Sequence, residues 1–231
     1  MKHRSAVLVA AALAFLPFAA NAESTVMIPP PAAETAAQGA GLETAVLAGG
    51  CFWGIQAVYQ HVKGVTNAVS GYAGGTQKDA VYETVSSGRT GHAESVKVTF
   101  DPRQVSYGKI LQIYFSVAHD PTQLNRQGPD SGPQYRSEIF PQNEAQQKAA
   151  KDYIAQLDKA RVFKRPIVTK TDSMKTPFFP AEAYHQDYAI HHPYQPYIAI
   201  NDAPKVENLK KNFPDVWRDQ PVTVAEAAKT N

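Results

Sequence analysis

The sequence is poor in cysteine, and this shortage limits its chemistry. Cys51 is the only cysteine among 231 residues, so an internal disulfide is excluded. In an oxidising compartment a lone thiol persists either because it is buried or because its oxidation is the chemistry. The surroundings of Cys51 therefore have to distinguish between these two explanations.

The chain also lacks an excess of charge and a long hydrophobic run. Its 23 basic and 21 acidic residues give no electrostatic reason to expect a nucleic-acid partner. The apolar run from Ala6 to Ala20 is too short to span a membrane comfortably. Basic residues precede this run and Ala20-Asn21-Ala22 follows it, so residues 1–22 are predicted to be a secretory signal peptide. We therefore expect an exported, periplasmic protein with no stable membrane insertion after cleavage.

The remaining sequence, about 200 residues, is enough for one domain with a well-formed core. Residues 23–41 are rich in Ala, Pro and Thr, which predicts a flexible or polyproline-like leader. The catalytic domain is expected over residues 42–218. A tail over residues 219–231 follows it and contains no cysteine.

The stretch Gly49-Gly50-Cys51-Phe52-Trp53-Gly54 joins an apolar run to a helical pattern. The apolar residues that follow recur at helical spacing, at Ile55, Val58, Tyr59 and Val62. The two glycines therefore predict a strand-to-helix turn, with Cys51 in the first helical turn. Unpaired N–H groups and the helix dipole favour a thiolate there, which is the reactive form. The alternative is a buried cysteine that acts as a small hydrophobe.

Residues 92–100 alternate as in a strand that is buried on one face. Val96, Val98 and Phe100 form the apolar set, and Glu94 shares their parity. A buried carboxylate is costly unless it is partnered or protonated. An inward Glu94 would therefore have a raised pKa and could donate a proton near neutral pH. The alternative is that Glu94 lies at the frayed end of the strand and reaches water.

The order of the predicted elements indicates the fold class. Strands are expected at about 44–48, 65–72, 92–100, 134–140 and 165–170, and helices at about 52–61, 80–86, 106–117, 143–160 and 181–190. They interleave without a doubly wound repeat. We predict a single α/β (α+β) domain, a two-layer sandwich with a mixed central sheet, flanking helices and a coil-rich C-terminal segment.

Other residue patterns indicate different chemistry with less support. Gly49-Gly50 lacks the Lys-Ser/Thr of a phosphate loop, so nucleotide binding is not expected. The spacings of His185, His191 and His192 with Glu182 and Asp187 match no metal-binding motif, and no metal site is predicted. Cys51 with His185 and Asp187 could form the triad of a thiol hydrolase, which the sequence order leaves open.

The signature at Cys51 resembles that of the type A peptide methionine sulfoxide reductases. The matching residues are Gly50-Cys51-Phe52-Trp53-Gly54. Further similar motifs follow in the order of that family, over about Thr44 to Ile200. They are GYAGG at 71–75, YE at 82–83, GHAE at 91–94, HDPT at 119–122, NRQG at 125–128, QYRS at 134–137 and AEAYHQ at 181–186.

The resemblance implies that the protein reduces methionine S-sulfoxide, free or in proteins, to methionine. It implies that Cys51 is the nucleophile that attacks the sulfoxide sulfur and becomes a sulfenic acid. It also implies that Glu94 protonates the leaving oxygen, the role that strand parity allows. No cofactor is expected.

Five further site residues follow from the same resemblance. Tyr82 and Tyr135 would hydrogen-bond the sulfoxide oxygen, and Asp130 would lie in the loop that shapes the site. Phe52 and Trp53 would form an apolar wall for the S-methyl group of the substrate.

The sequence departs from the family pattern in two places. Pro129 and Pro133 flank Asp130 and Tyr135 in the loop, and each proline removes a backbone donor and fixes φ. The tail lacks the further cysteines with which many members resolve the sulfenic acid. We therefore expect the protein to depend on an external thiol reductant, such as a thioredoxin-like protein. We also expect a monomer. A module that binds oxidised methionine without turnover is the remaining alternative.

Overall fold

The computed structural model describes residues 26–33, 41–173 and 176–229. The predicted signal peptide lies outside the described residues. Among the described residues, no helix has the length and apolar character needed to cross a membrane.

An antiparallel sheet of five strands forms the centre of the fold. Its order is β6-β1-β3-β2-β7, and each pair of neighbours is antiparallel. A separate short hairpin pairs β4 with β5. The strands are β1 (Glu43–Ala48), β2 (Val65–Ala73), β3 (Ala93–Phe100), β4 (Arg126–Gln127), β5 (Asp130–Ser131), β6 (Glu138–Phe140) and β7 (Phe178–Pro180). The two-layer α/β prediction is confirmed, but the sheet is antiparallel and not mixed.

Seven α-helices are assigned within the described residues. They are α1 (Phe52–Gln60), α2 (Tyr82–Val85), α3 (Tyr107–Ile113), α4 (Glu144–Ala160), α5 (Tyr188–His191), α6 (Ala203–Asn212) and α7 (Val224–Ala227). A π-helical turn extends α3 over Tyr114–Ala118, and a second one, Ile198–Asp202, precedes α6.

Alternation along β3 places its apolar residues against the helices. Val96, Val98 and Phe100 are fully buried in the main core, together with Leu47 of β1 and Ile55 of α1. The opposite face of the sheet carries a smaller cluster of mainly small residues. The main core therefore lies between the sheet and the helices, and Cys51 and Phe52 belong to it.

The prediction of a strand over residues 165–170 is wrong. Only Lys170 pairs, through an isolated parallel bridge to Glu138. Pro166 has no N–H and cannot continue a ladder. The strand predicted at 134–140 is shorter than expected, because Pro133 begins a 3₁₀ turn, Pro133–Tyr135.

The predicted helix over residues 181–190 is divided in two, and β7 before it was not predicted. A 3₁₀ turn covers Ala183–His185 and α5 follows it. Asp187 separates them with a left-handed φ of 58°, which a continuous helix does not allow. β7 is an edge strand, where Pro180 is tolerated.

Part of the predicted flexible leader docks on the domain. Ile28 is 4% exposed and belongs to the main core. Side chains of α3, its π-helical turn and α4 donate hydrogen bonds to the carbonyls of the segment, with Ser116 to Val26, Gln112 to Ile28, Tyr153 to Pro29 and Gln156 to Pro30. An extended proline-rich backbone makes no hydrogen bonds within itself. Its carbonyl groups are instead satisfied by these side chains of the domain.

Replacing Ile28 by alanine is therefore expected to lower the free energy of unfolding by about 2 kcal/mol. Urea denaturation of a chain without residues 1–22 would measure the change. Met27→Ala is the matched control, because Met27 is 63% exposed and its loss should change stability by less than about 0.5 kcal/mol. Equal effects of the two substitutions would show that the segment is not docked in solution.

Candidate active site

Two glycines place Cys51 at the junction of β1 and α1. Gly50 has a φ of 98°, a conformation that side chains other than hydrogen rarely adopt. A Cβ on Gly49 would lie 2.7 Å from the His119 ring, and one on Gly50 would lie 2.6 Å from Gln127. Glycine is thus required at both positions, and the turn brings Cys51 to the N-cap of α1.

The prediction that the helix start makes Cys51 a thiolate is wrong for the free protein. Burial raises the pKa of Cys51 well above its usual value, and the charges of Glu94 and Asp202 raise it further. Cys51 is 8% exposed, so a thiolate there loses most of its hydration. The resting form is therefore the thiol.

Glu94 lies inward, as strand parity allows, and the frayed-end alternative is wrong. It is 3% exposed, and its Oε2 accepts a hydrogen bond of 3.1 Å from the backbone N–H of Phe52. Burial raises the pKa of Glu94 to about 8. At neutral pH the carboxyl group of Glu94 therefore still carries its proton, and it is held by Phe52, the residue that follows Cys51.

Tyr82 and Tyr135 approach the same site from two short elements. Burial, followed by the charge of Glu94, raises the pKa of both phenols, and Cys51 also contributes in each case. Both hydroxyls therefore remain protonated donors over the physiological pH range. Glu182 fixes the start of α2, because its two oxygens accept hydrogen bonds of 2.9 Å from the N–H of Tyr82 and the hydroxyl of Tyr72.

The two loop prolines fit the backbone around Asp130. Pro129 lies in the turn of the β4–β5 hairpin, and Pro133 begins a 3₁₀ turn, a position that needs no backbone donor. Asp130 accepts a hydrogen bond from the hydroxyl of Tyr197. Sequence reasoning missed Tyr197, which lies 67 residues away in the coil-rich segment and carries no periodic signal.

The two aromatic residues predicted as a substrate wall differ in their surroundings. Phe52 is 1% exposed and packs against Tyr72 at a centroid distance of 5.9 Å. Trp53 is half-buried, stacks on Tyr188 at 4.0 Å, and donates from Nε1 to His185 Nδ1 at 3.2 Å. Trp53 is therefore the ring that keeps an accessible surface beside Cys51.

A cleft of about 1120 Å³ opens on Cys51. Asp130, Tyr197 and Lys205 line it together with Cys51, and Val26 of the docked leader is also among its lining residues. Sequence reasoning also missed Lys205, whose Nζ pairs with Asp202 at 3.3 Å below the surface.

The hydrolase triad does not form. His185 Nδ1 accepts the hydrogen bond from Trp53, and Asp187 accepts hydrogen bonds from Gln60 and from the N–H of Val224. The indole ring thus occupies Nδ1 of His185, where the triad would need Asp187, and the carboxylate near Nε2 is that of Glu182, at 3.9 Å. In the described part of the chain, no three His, Cys, Asp or Glu residues gather as metal ligands.

A thiol that lies beside a protonated carboxyl, with phenol donors around both, suits a thiol-dependent oxidoreductase. The comparisons with known proteins agree with that class. Residues 43–217 match the peptide methionine sulfoxide reductase family, so the chain belongs to this family.

The sequence relatives cover most of the chain. Peptide methionine sulfoxide reductase MsrA 2 of Mesorhizobium japonicum is 61% identical over 81% of this chain and 96% of that protein. A protein of the same description from Synechocystis is 47% identical over 78% of this chain and 84% of that protein.

Solved structures of the family share the fold. Reduced Mxr1 of Saccharomyces cerevisiae is 30% identical, with a TM-score of 0.60, over 69% of this chain and 91% of that chain. Methionine sulfoxide reductase A of Corynebacterium diphtheriae is 31% identical, with a TM-score of 0.56, over 68% of this chain and 78% of that chain.

Proposed function

We propose that the protein reduces methionine S-sulfoxide, free or in proteins, through a sulfenic acid on Cys51. The observation that supports this most is the hydrogen bond from the Phe52 N–H to Glu94 Oε2. It holds an acid with a pKa of about 8 at the start of the helix that carries the thiol. The proton donor Glu94 and the nucleophile Cys51 thus both lie at the N-terminal end of α1.

The proposed first step transfers one oxygen atom and two electrons. The sulfur of Cys51 attacks the sulfoxide sulfur and forms a transient S–S bond. This bond and the S–O bond of the substrate then break as the oxygen bonds to the sulfur of Cys51, which leaves a thioether and a Cys51 sulfenic acid. Glu94 gives its proton to the sulfoxide oxygen as the S–O bond breaks, and the proton of the Cys51 thiol returns to Glu94. Tyr82 and Tyr135 donate hydrogen bonds to that oxygen, where negative charge develops.

Regeneration requires a thiol from another molecule. Because Cys51 is the only cysteine of the sequence, no second cysteine can form an internal disulfide. Two external thiol groups reduce the sulfenic acid to the Cys51 thiol, with release of water and formation of a disulfide in the reductant. A dithiol protein of the thioredoxin kind has the required chemistry.

We also propose that the protein acts in the periplasm as a monomer after removal of residues 1–22. The basic, apolar and small-residue segments at the start of the sequence support export. Cleavage after Ala22 would give a mature chain that begins at Glu23, and N-terminal sequencing of periplasmic material would test it.

The proposed activity is tested with the two diastereomers of methionine sulfoxide and dithiothreitol. We expect methionine from the S form and none from the R form. Binding of the S form without methionine would favour a binding module. Hydrolysis of acyl or amide substrates without redox change would favour a thiol hydrolase.

Replacing Trp53 by alanine is expected to weaken transition-state binding of methionine sulfoxide by about 2 kcal/mol, roughly 30-fold in kcat/KM. The loss reflects the missing apolar contact with the S-methyl group. Trp217→Ala is the matched control, because Trp217 contacts His61 and Asp219 and none of the proposed site residues. An unchanged kcat/KM in folded Trp53→Ala protein would remove Trp53 from the substrate site.

A further inference from the structure

A buried ion pair beside α1 has no part in the reaction as described so far. Lys205 Nζ lies 3.3 Å from Asp202 Oδ1, and the two side chains are 8% and 0% exposed. Lys and Asp are seldom buried to this extent. A buried ion pair is also weak evidence for stability, because the desolvation of both charges offsets their attraction. The stability of the fold therefore does not account for this ion pair, whereas its location beside the active site can.

The pair lies between the helix of Cys51 and the cleft. The carboxylate of Asp202 packs against Gly54, three residues beyond Cys51, and leaves no room there for a side chain. One oxygen of that carboxylate, Oδ2, is buried and has no hydrogen-bond partner. Lys205, the third residue of α6, lines the same cleft as Cys51.

Lys205 differs from the other basic residues of the cleft by its burial. Arg126, Lys164 and Arg165 also line the cleft, but all three are exposed. Water and salt screen an exposed charge, whereas a buried charge acts on its neighbours through a low dielectric. Among the described residues, the titratable groups around Cys51 are Tyr82 of α2, Glu94 of β3, Tyr135, Tyr197, Asp202 and Lys205, together with His119 and Asp130, which line the same cleft. Burial lowers the pKa of His119 to about 3, so its ring is neutral, and Lys205 alone of these eight carries a positive charge.

We propose that Lys205 is a positioning residue whose buried ammonium group stabilises the anionic forms of Cys51, the thiolate before oxygen transfer and the sulfenate after it. Asp202 holds the ammonium group in place at the edge of the cleft. Burial, Glu94 and Asp202 raise the pKa of Cys51, whereas the backbone N–H of Trp53 and the charge of Lys205 lower it, so Lys205 is the side chain that favours the anion.

The thiolate is the reactive form of Cys51, and a nearby buried cation lowers the free energy of the thiolate relative to the thiol. This inference rests on the proposed reductase function. Its test measures the ionisation of Cys51 and needs no sulfoxide, so the two can fail separately.

The test is the pH dependence of Cys51 alkylation by iodoacetamide in the reduced mature protein, since only the thiolate reacts. Lys205→Met is expected to move the midpoint of the rate profile upward by about one pH unit or more. Lys205→Arg should keep the midpoint of the wild type. Lys211→Met is the matched control, because it removes an exposed positive charge from the same helix and should leave the midpoint unchanged.

A second variant tests the proposal if Lys205→Met does not fold. Asp202→Asn alone should move the midpoint downward, because the charge of Asp202 itself raises the pKa of Cys51. The double variant Asp202→Asn with Lys205→Met leaves no buried charge unpaired, and its midpoint should lie above that of Asp202→Asn. A midpoint that is unchanged in Lys205→Met, or that is the same in the double variant and in Asp202→Asn, would overturn the proposal.

Discussion

Replacing Glu94 by glutamine should slow sulfoxide reduction by about 10² or more, the range typical of the loss of a general acid. The amide keeps the shape of the side chain and can still accept from the Phe52 N–H, but it has no proton to transfer. Binding of the sulfoxide should change little. Steady-state rates with methionine S-sulfoxide and excess dithiothreitol would measure the loss as a lower kcat.

The pH profile identifies the cause of that loss. The acid role requires the protonated form, and the pKa of Glu94 is about 8, so the wild-type rate should fall as pH rises through about 8. Glu94→Gln should lack this descending limb. Glu83→Gln, which changes an exposed carboxylate near the site, is the matched control and should behave as the wild type. A Glu94→Gln rate within twofold of the wild type would remove Glu94 from the mechanism.

The second large effect concerns turnover without reductant. The protein should form one methionine per chain and then stop, because the only cysteine of the sequence has become a sulfenic acid. Addition of a small thiol should restart it. Cys51→Ser changes one buried atom and should abolish even the first methionine, while circular dichroism shows a retained fold. Several methionines per chain without thiol would require a resolving group other than cysteine.

The parts of the structure that follow local patterns could be predicted from the sequence. The alternation of Val96, Val98 and Phe100 placed Glu94 on the buried face, where the structure has it. The helical spacing after Phe52 indicated α1 and the turn at Cys51. Periodicity and glycine positions are local signals, so they survive in a single sequence.

The ionisation of Cys51 could not be predicted in the same way. A helix N-terminus favours a thiolate, but the burial of Cys51 and the inward carboxyl of Glu94 act more strongly. Both effects come from residues that are distant in sequence. The local pattern therefore identified Cys51 as the site residue, but it predicted a thiolate where the resting form is the thiol.

Long-range contacts explain the other differences. Asp202 and Lys205 lie about 150 residues from Cys51, and nothing in their spacing distinguishes them from an ordinary helical pair. The docked leader was missed because its composition is typical of linkers, although Ile28 is an apolar residue among the prolines. In both cases the residue acquires its role by packing against a part of the chain that is distant in sequence. That contact exists only in the folded protein.

The most direct measurement of the central claim is the mass of the stalled enzyme. The mature protein is incubated with excess methionine S-sulfoxide and no reductant, then divided between intact mass spectrometry and treatment with dimedone. If Cys51 alone carries the oxygen, the chain gains the mass of one oxygen atom, and dimedone forms a single adduct on Cys51. An unmodified Cys51 after methionine has appeared would contradict the one-cysteine mechanism.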